Sequence, residues 1–172
     1  MNIKKTALGI VSALLVLLAS GGCSVKYSLS GASISPDAKT VSIAHFPNNA
    51  LMVAPILSPT FTDALQDRFA RQTRLQQVRE GGDLNFEGEI TNYTSVPASI
   101  SGNEYATKNR LTITVKVRFT NAMEPQFNFD RTFSAYQDYD TSRLLQEVEP
   151  TLIPEIVEML VNDIFNASVS NW

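Results

Sequence analysis

The stretch RLTITVKVRFT, Arg110–Thr120, alternates apolar and polar side chains without interruption. In an extended chain, Leu111, Ile113, Val115, Val117 and Phe119 share one face, and Arg110, Thr112, Thr114, Lys116 and Arg118 share the other. The first set needs a covering layer; the second marks a wet surface. This reading makes the centre of the protein a half-buried antiparallel sheet.

The flanks extend it. In DLNFEGEI, Asp83–Ile90, the residues Leu84, Phe86, Gly88 and Ile90 share a face and alternate with Asn85, Glu87 and Glu89. Tyr93 and Val96 then fall out of phase, which predicts a bulge or bend near 91–95. Residues 97–108 carry Pro97, Gly102 and Asn103 and read as a loop or long hairpin turn. NFDRTFSAY, Asn128–Tyr136, repeats the alternation more weakly through Phe129, Phe133 and Ala135, with Phe127 just before it. The three segments form a meander. Upstream, KTVSIAHF (39–46) is a short strand with Val41 and Ile43 on one side, and residues 47–59 are turn-rich.

Helices bracket the meander. Ser58-Pro59 reads as a cap and rigid first turn. Phe61, Leu65, Phe69 and Leu75 follow near helical spacing, with Ala64 beside them. Near the other end, Leu152, Ile156, Leu160 and Ile164 trace a stripe widened by Ile153, Val157, Val161 and Phe165. Pro154 would clash with a preceding helical turn. The regular helix is therefore expected to start at about 150–153, after a separate short turn at 142–149. The sum is an α/β (α+β) domain in the order β-α-β-β-β-α, with two helices packed on one face of a four-stranded sheet. At 172 residues it is one domain, long enough to bury about two-thirds of its unfolded surface.

The first residues carry a different message. Lys4 and Lys5 precede the apolar run Ala7–Ala19, and Ser20, Gly21 and Gly22 precede Cys23, the one cysteine in the chain. Positive, apolar, small is the order of a secretory signal, and the run is short of the roughly 20 residues that a permanent span needs. A lone cysteine has no partner for a disulfide or a zinc site. It fits a lipid attachment point, with cleavage before Cys23 and acylation holding the mature chain at a membrane. Residues 1–22 are thus expected to be a cleaved signal. Residues 23–38 are read as a lipid-anchored tether with an edge strand around Tyr27–Ser33, and 39–172 as the folded domain. Such processing places the protein in a bacterial envelope. Ser24, rather than an acid, follows the cysteine, which in known sorting systems resembles an outer-membrane destination.

Chemistry is sparse. Without Lys4 and Lys5 the mature chain has 12 basic residues against 17 acidic ones, a net charge of −5. That argues against a nucleic-acid partner, since phosphate backbones require clustered positive charge. His45 is the one histidine; it makes no zinc site, and no GxSxG elbow accompanies it. Glu87 and Glu89 share a wet strand face and read as solvating it. No catalytic residue, metal site or cofactor is expected. The remaining candidates are basic: Arg110, Lys116 and Arg118 on one strand face, and Arg68, Arg71 and Arg74 along the first helix. They read either as salt-bridged surface or as contacts for a phosphorylated or carboxylated ligand. A membrane-tied body of this kind is most simply a binding or scaffold protein.

FPNNA (46–50), GGDLNFEGEITNY (81–93), RLTITVKV (110–117) and DIFNASVSNW (163–172) resemble LptE, the lipopolysaccharide-assembly lipoprotein, in its Bacteroidota form. The resemblance covers essentially all of residues 23–172. It implies two helices against a four-stranded mixed sheet, on a lipoprotein at the periplasmic face of the outer membrane. It also implies a partner, the LptD-type β-barrel, whose lumen the family plugs and whose assembly it assists. The implied cargo is lipopolysaccharide, delivered to the cell surface. Lipid-binding residues of the enterobacterial branch do not align here, and none is carried across. The alternatives are a pilot or scaffold lipoprotein for another envelope channel, and a ligand-binding periplasmic lipoprotein.

Overall fold

A computed structural model describes residues 34–98 and 107–169. The signal segment, Cys23 and the edge strand expected around Tyr27–Ser33 lie outside them. The elements are β1 (Thr40–Ile43), α1 (Leu57–Gln72), β2 (Gln76–Val78), β3 (Leu84–Pro97), β4 (Lys108–Asn121), a 3-10 turn (Pro125–Phe127), β5 (Phe129–Asp140) and α2 (Leu145–Val169). The strands form one mixed sheet in the order β2-β1-β3-β4-β5. β1 runs parallel to both β2 and β3, whereas β3, β4 and β5 are antiparallel. The helices pack side by side on one face, α1 over β1 and β2, α2 over β4 and β5.

Alternation in β4 translates directly into layers. Leu111, Ile113, Val115, Val117 and Phe119 are fully buried beneath the helices, each contributing about 1.5–3 kcal/mol of transfer free energy. Register aligns Phe86, Phe119 and Phe129 across β3, β4 and β5. Their ring centroids lie 4.7 and 5.2 Å apart, and Phe69 of α1 continues the file to Phe86 at 4.9 Å. Phe69 also meets Phe165 of α2 at 5.1 Å, so one run of rings joins both helices to three strands.

Gly88 occupies a core-facing position without a side chain, and the ring of Phe46 fills the space. A Cβ there would strike both that ring and the carbonyl of Lys116. The bulge expected near 91–95 is present at Thr91: pairing passes from Ile90–Val115 to Asn92–Thr114. The shift restores Tyr93 to the core, where its hydroxyl donates to Glu149 Oε1 at 2.6 Å. Burial, then this hydrogen bond, pushes the phenol far above its usual pKa. The bond ties the first turns of α2 to β3.

Four expectations need correction. The sheet has five strands rather than four: β2 is only three residues long, too short to show a period, and is recognisable only by its pairing with β1. Leu75 belongs to the segment entering β2, since α1 ends at Gln72. Ser58 does not cap α1, which starts at Leu57 with no side-chain cap; the Ser58 hydroxyl donates instead to the carbonyl of Phe46. Finally, α2 is continuous from Leu145 through both Pro150 and Pro154. Each proline deletes one helical hydrogen bond. Both are exposed and stand four residues apart, so the carbonyls they leave free share a solvent-facing side that water can satisfy.

The start of β1 is pinned by one carboxylate. Asp83 Oδ2 accepts from the backbone N–H of Lys39 (2.8 Å) and Thr40 (2.9 Å) and from Thr40 Oγ1 (2.8 Å). Its own N–H donates to Thr40 Oγ1 at 2.9 Å. The Lys39 backbone bond, then the Thr40 bonds, hold the Asp83 carboxyl below the usual carboxylate range. A folded-state pKa below the unfolded one contributes stability that is present above the unfolded value, about 3.9. It is lost as pH falls through the folded value. Wild type is expected to exceed Asp83→Asn in urea stability near neutral pH, with the difference closing as the pH is taken below about 4. Phe119→Ala, which interrupts the aromatic file, is expected to cost about 3–5 kcal/mol in the same assay.

Candidate partner-binding surface

Among the described residues, none covers the sheet face away from the helices. Its side chains come from alternate positions of β3, β4 and β5, and register sorts them into rows: Glu87–Arg118–Asp130, Glu89–Lys116–Thr132, Asn92–Thr114–Ser134, Thr94–Thr112–Tyr136 and Val96–Arg110–Asp138. The three strand cations thus alternate with four carboxylates. Arg110 grips Asp138 with two hydrogen bonds of 2.7 and 3.0 Å, and its guanidinium lies 3.7 Å from the centre of the Tyr136 ring. The Arg110 hydrogen bonds hold the Asp138 carboxyl below its usual range, and reciprocally raise the guanidinium's pKa. Lys116 and Arg118 share Asp130 at 3.6 and 3.8 Å. Between these charged rows, Thr114 and Ser134 hydroxyls bond at 3.0 Å.

This geometry decides what the face can do. Arg110, Lys116 and Arg118 are brought together, but each stands beside acid, so the strip is not net positive. It offers hydrogen-bonding groups already arranged in a plane, suited to a polar protein surface. A phosphate would have to displace Asp130 or Asp138 from its partner.

Arg68 and Arg71 lie on the opposite layer. They border an open cleft of about 530 Å³ between α1 and α2, together with Asp67, Pro154 and Glu158. Arg71 pairs with Asp67 at 2.8 Å across one helical turn. Arg74 is exposed beyond the helix end. The two groups of basic residues therefore belong to separate surfaces on either side of the sheet.

His45 Nε2 lies 3.0 Å from Ser58 Oγ. Since the Ser58 proton goes to the Phe46 carbonyl, the imidazole donates to the hydroxyl rather than taking its proton. Among the described residues no carboxylate hydrogen-bonds His45, and no three His, Cys, Asp or Glu side chains converge as a metal site. No described helix is long and apolar enough to cross a membrane.

Sequence reasoning missed one feature. The loop after β1, read as turn-rich, exposes Leu51 and Val53 almost fully and Ile56 and Met52 in part. Its signal was the apolar run ALMVAPIL between NN and SP, which has no period and so predicts no element.

The described residues define a two-layer α+β fold, with both helices on one face of a mixed sheet and rows of paired charges on the other. Residues 38–168 match the model of the LptE family, described as lipopolysaccharide-assembly, and the chain belongs to that family. Similar solved structures include a minor lipoprotein from Acinetobacter baumannii, 16% identical over 75% of this chain and 91% of that one, with a TM-score of 0.51. A hypothetical protein from Chlamydia trachomatis is 10% identical over 78% and 99%, with a TM-score of 0.53. A protein from Xanthomonas campestris is 8% identical over 80% and 90%, with a TM-score of 0.51. At these identities the likeness shows a shared fold. No curated protein matches the chain.

Arg110→Ala is expected to return the Asp138 carboxyl toward the ordinary aspartate range, read by an NMR pH titration of its carboxyl carbon. An unmoved Asp138 midpoint would show that the ion pair does not set its charge.

Proposed function

We propose that this chain is a non-catalytic outer-membrane lipoprotein of lipopolysaccharide transport. In this reading Cys23 is acylated after removal of residues 1–22, and residues 23–38 tether the domain on the periplasmic side. The domain plugs and assists assembly of an LptD-type β-barrel and so helps deliver lipopolysaccharide to the surface. The family match supports the pathway. The observation that carries the plug role is the sheet face away from the helices, whose internally paired charges and hydroxyls suit the polar interior of an outer-membrane barrel.

Arg110, Lys116 and Arg118 then serve as partner contacts held in place by Asp130 and Asp138. Buried polar groups at such a contact need partners, and this face supplies donors and acceptors in alternation. Arg68 and Arg71, at the helix cleft, are the positions proposed to meet any anionic ligand, with Asp67 and Glu158 as competitors for their charge.

The test is copurification from detergent-solubilised membranes, with wild type and Cys23→Ala. Wild type is expected to bring down the outer-membrane barrel. C23A is expected to shift to the soluble periplasmic fraction with an unchanged circular dichroism spectrum and melting temperature. Recovery of wild type with a different envelope channel would reassign the partner, and an unacylated intact mass would remove the anchor.

A further inference from the structure

Helix α2 is not held evenly along its length. Seven of its nine buried residues follow Pro154, from Ile156 to Val169. That part also carries Phe165, which meets Phe69 of α1 at 5.1 Å. Before Pro154 the helix buries only Val148 and Ile153, with Leu145 and Leu152 partly covered. Buried apolar area sets much of the local cost of opening, so the two parts differ in what keeps them closed.

The backbone divides at the same place. A helical N–H bonds to the carbonyl four residues back. Pro150 and Pro154 have no N–H to give, so the carbonyls of Gln146 and Pro150 receive no helical bond. The start of the helix is weak as well. Leu144 precedes it, is 65% exposed, and has no side-chain acceptor for the free amides of the first turn.

Besides Val148 and Ile153, two ties hold this segment among the described residues. At its entry, the N–H and hydroxyl of Thr141 donate to the Thr107 carbonyl at 3.1 and 3.3 Å. On the core side, the Tyr93 hydroxyl donates to Glu149 Oε1 at 2.6 Å, joining residues 56 positions apart. The sheet beneath does not depend on the segment. Tyr93 is paired with Ile113 in the β3–β4 ladder, and the Tyr139 hydroxyl has its own partner in Ser95 Oγ at 2.6 Å.

We infer that Ser142–Ile153 is a lid, opening as one unit between Thr141 and Pro154 while the rest of α2 stays packed, and that the Tyr93–Glu149 hydrogen bond is its latch. The inference does not rest on the barrel reading above. Opening exchanges the latch for bonds to water and returns backbone freedom to the freed turns. It uncovers Tyr93, which is 1% exposed when the lid is closed. Beyond Pro154 the same motion would expose most of the apolar stripe of α2, so it stops there.

The test is hydrogen–deuterium exchange on the full lipid-anchored chain in detergent, read separately for residues 145–153 and 156–165, at urea concentrations below the unfolding transition. In wild type, 145–153 is expected to exchange at least about tenfold faster than 156–165. Its rate should be nearly independent of urea, whereas that of 156–165 rises with urea because global unfolding exposes far more surface. Tyr93→Phe keeps the ring and removes the bond; Glu149→Ala removes the acceptor from a half-buried position. Each is expected to speed exchange at 145–153 about tenfold further and to leave 156–165 unchanged. The double variant should be no faster than either single one, since both remove the same bond. Equal rates and equal urea dependence of the two segments in wild type overturn the lid, whether or not either variant folds. Variants that accelerate both segments alike, or neither, overturn the latch, as do additive effects in the double variant.

Discussion

The architecture depends on stacking across the strands. Phe86, Phe119 and Phe129 meet because two registers agree, β3 on β4 and β4 on β5. A one-residue slip in either would turn a ring out to the wet face and bring a charge inward. Tilted aromatic pairs each add about 0.5–1.5 kcal/mol beyond their burial. The file therefore strengthens one register against its neighbours as well as adding area. Through Phe69 it also reaches α1 and, from there, Phe165 of α2. Helix placement and strand register are set by the same rings, so the wet face inherits its ordering from the buried one.

That coupling explains what could be read in one dimension. β3, β4 and β5 were legible because period-two alternation over many residues has few competing interpretations, and a bulge within 91–95 was expected from Tyr93 and Val96 falling out of phase with each other; the register shift lies at the start of that range, between Ile90 and Asn92. β2 was not, since three residues carry no period and its place depends on a parallel partner 36 positions earlier, Gln76 beside Thr40. The prolines of α2 misled for a related reason. Their cost depends on whether the freed carbonyls meet water or protein, which is a property of packing and not of spacing. Ser58 was read as a cap by residue type, but a carbonyl 12 residues away competed for its hydroxyl and won.

The candidate surface was half legible. Arg110, Lys116 and Arg118 were placed on one face by alternation alone. Their neutralisation was hidden, because Asp138 is 28 residues from Arg110 and becomes its neighbour only through the β4–β5 register. Charge counted along the chain gave an acidic body with a basic strip; charge counted across the strands gives rows in which the two signs alternate. The second count governs which partners the surface accepts, since the field a few ångströms from a paired arginine is that of a dipole and not of a cation.

Polarity along the molecule adds a geometric constraint. The Asp83 cluster marks the end of the sheet where β1 begins, and α1 ends beside it, at the start of β2. The Thr91 bulge, the apolar loop and the start of α2 lie farther along β3, whose 14 residues span about 45 Å. The apolar band of an outer-membrane barrel is only about 25 Å tall. A body held by a tether at the Asp83 end and entering such a barrel from the periplasm would therefore traverse the lumen with β3, β4 and β5. Among the described residues, β1 and β2 do not extend along this half of β3.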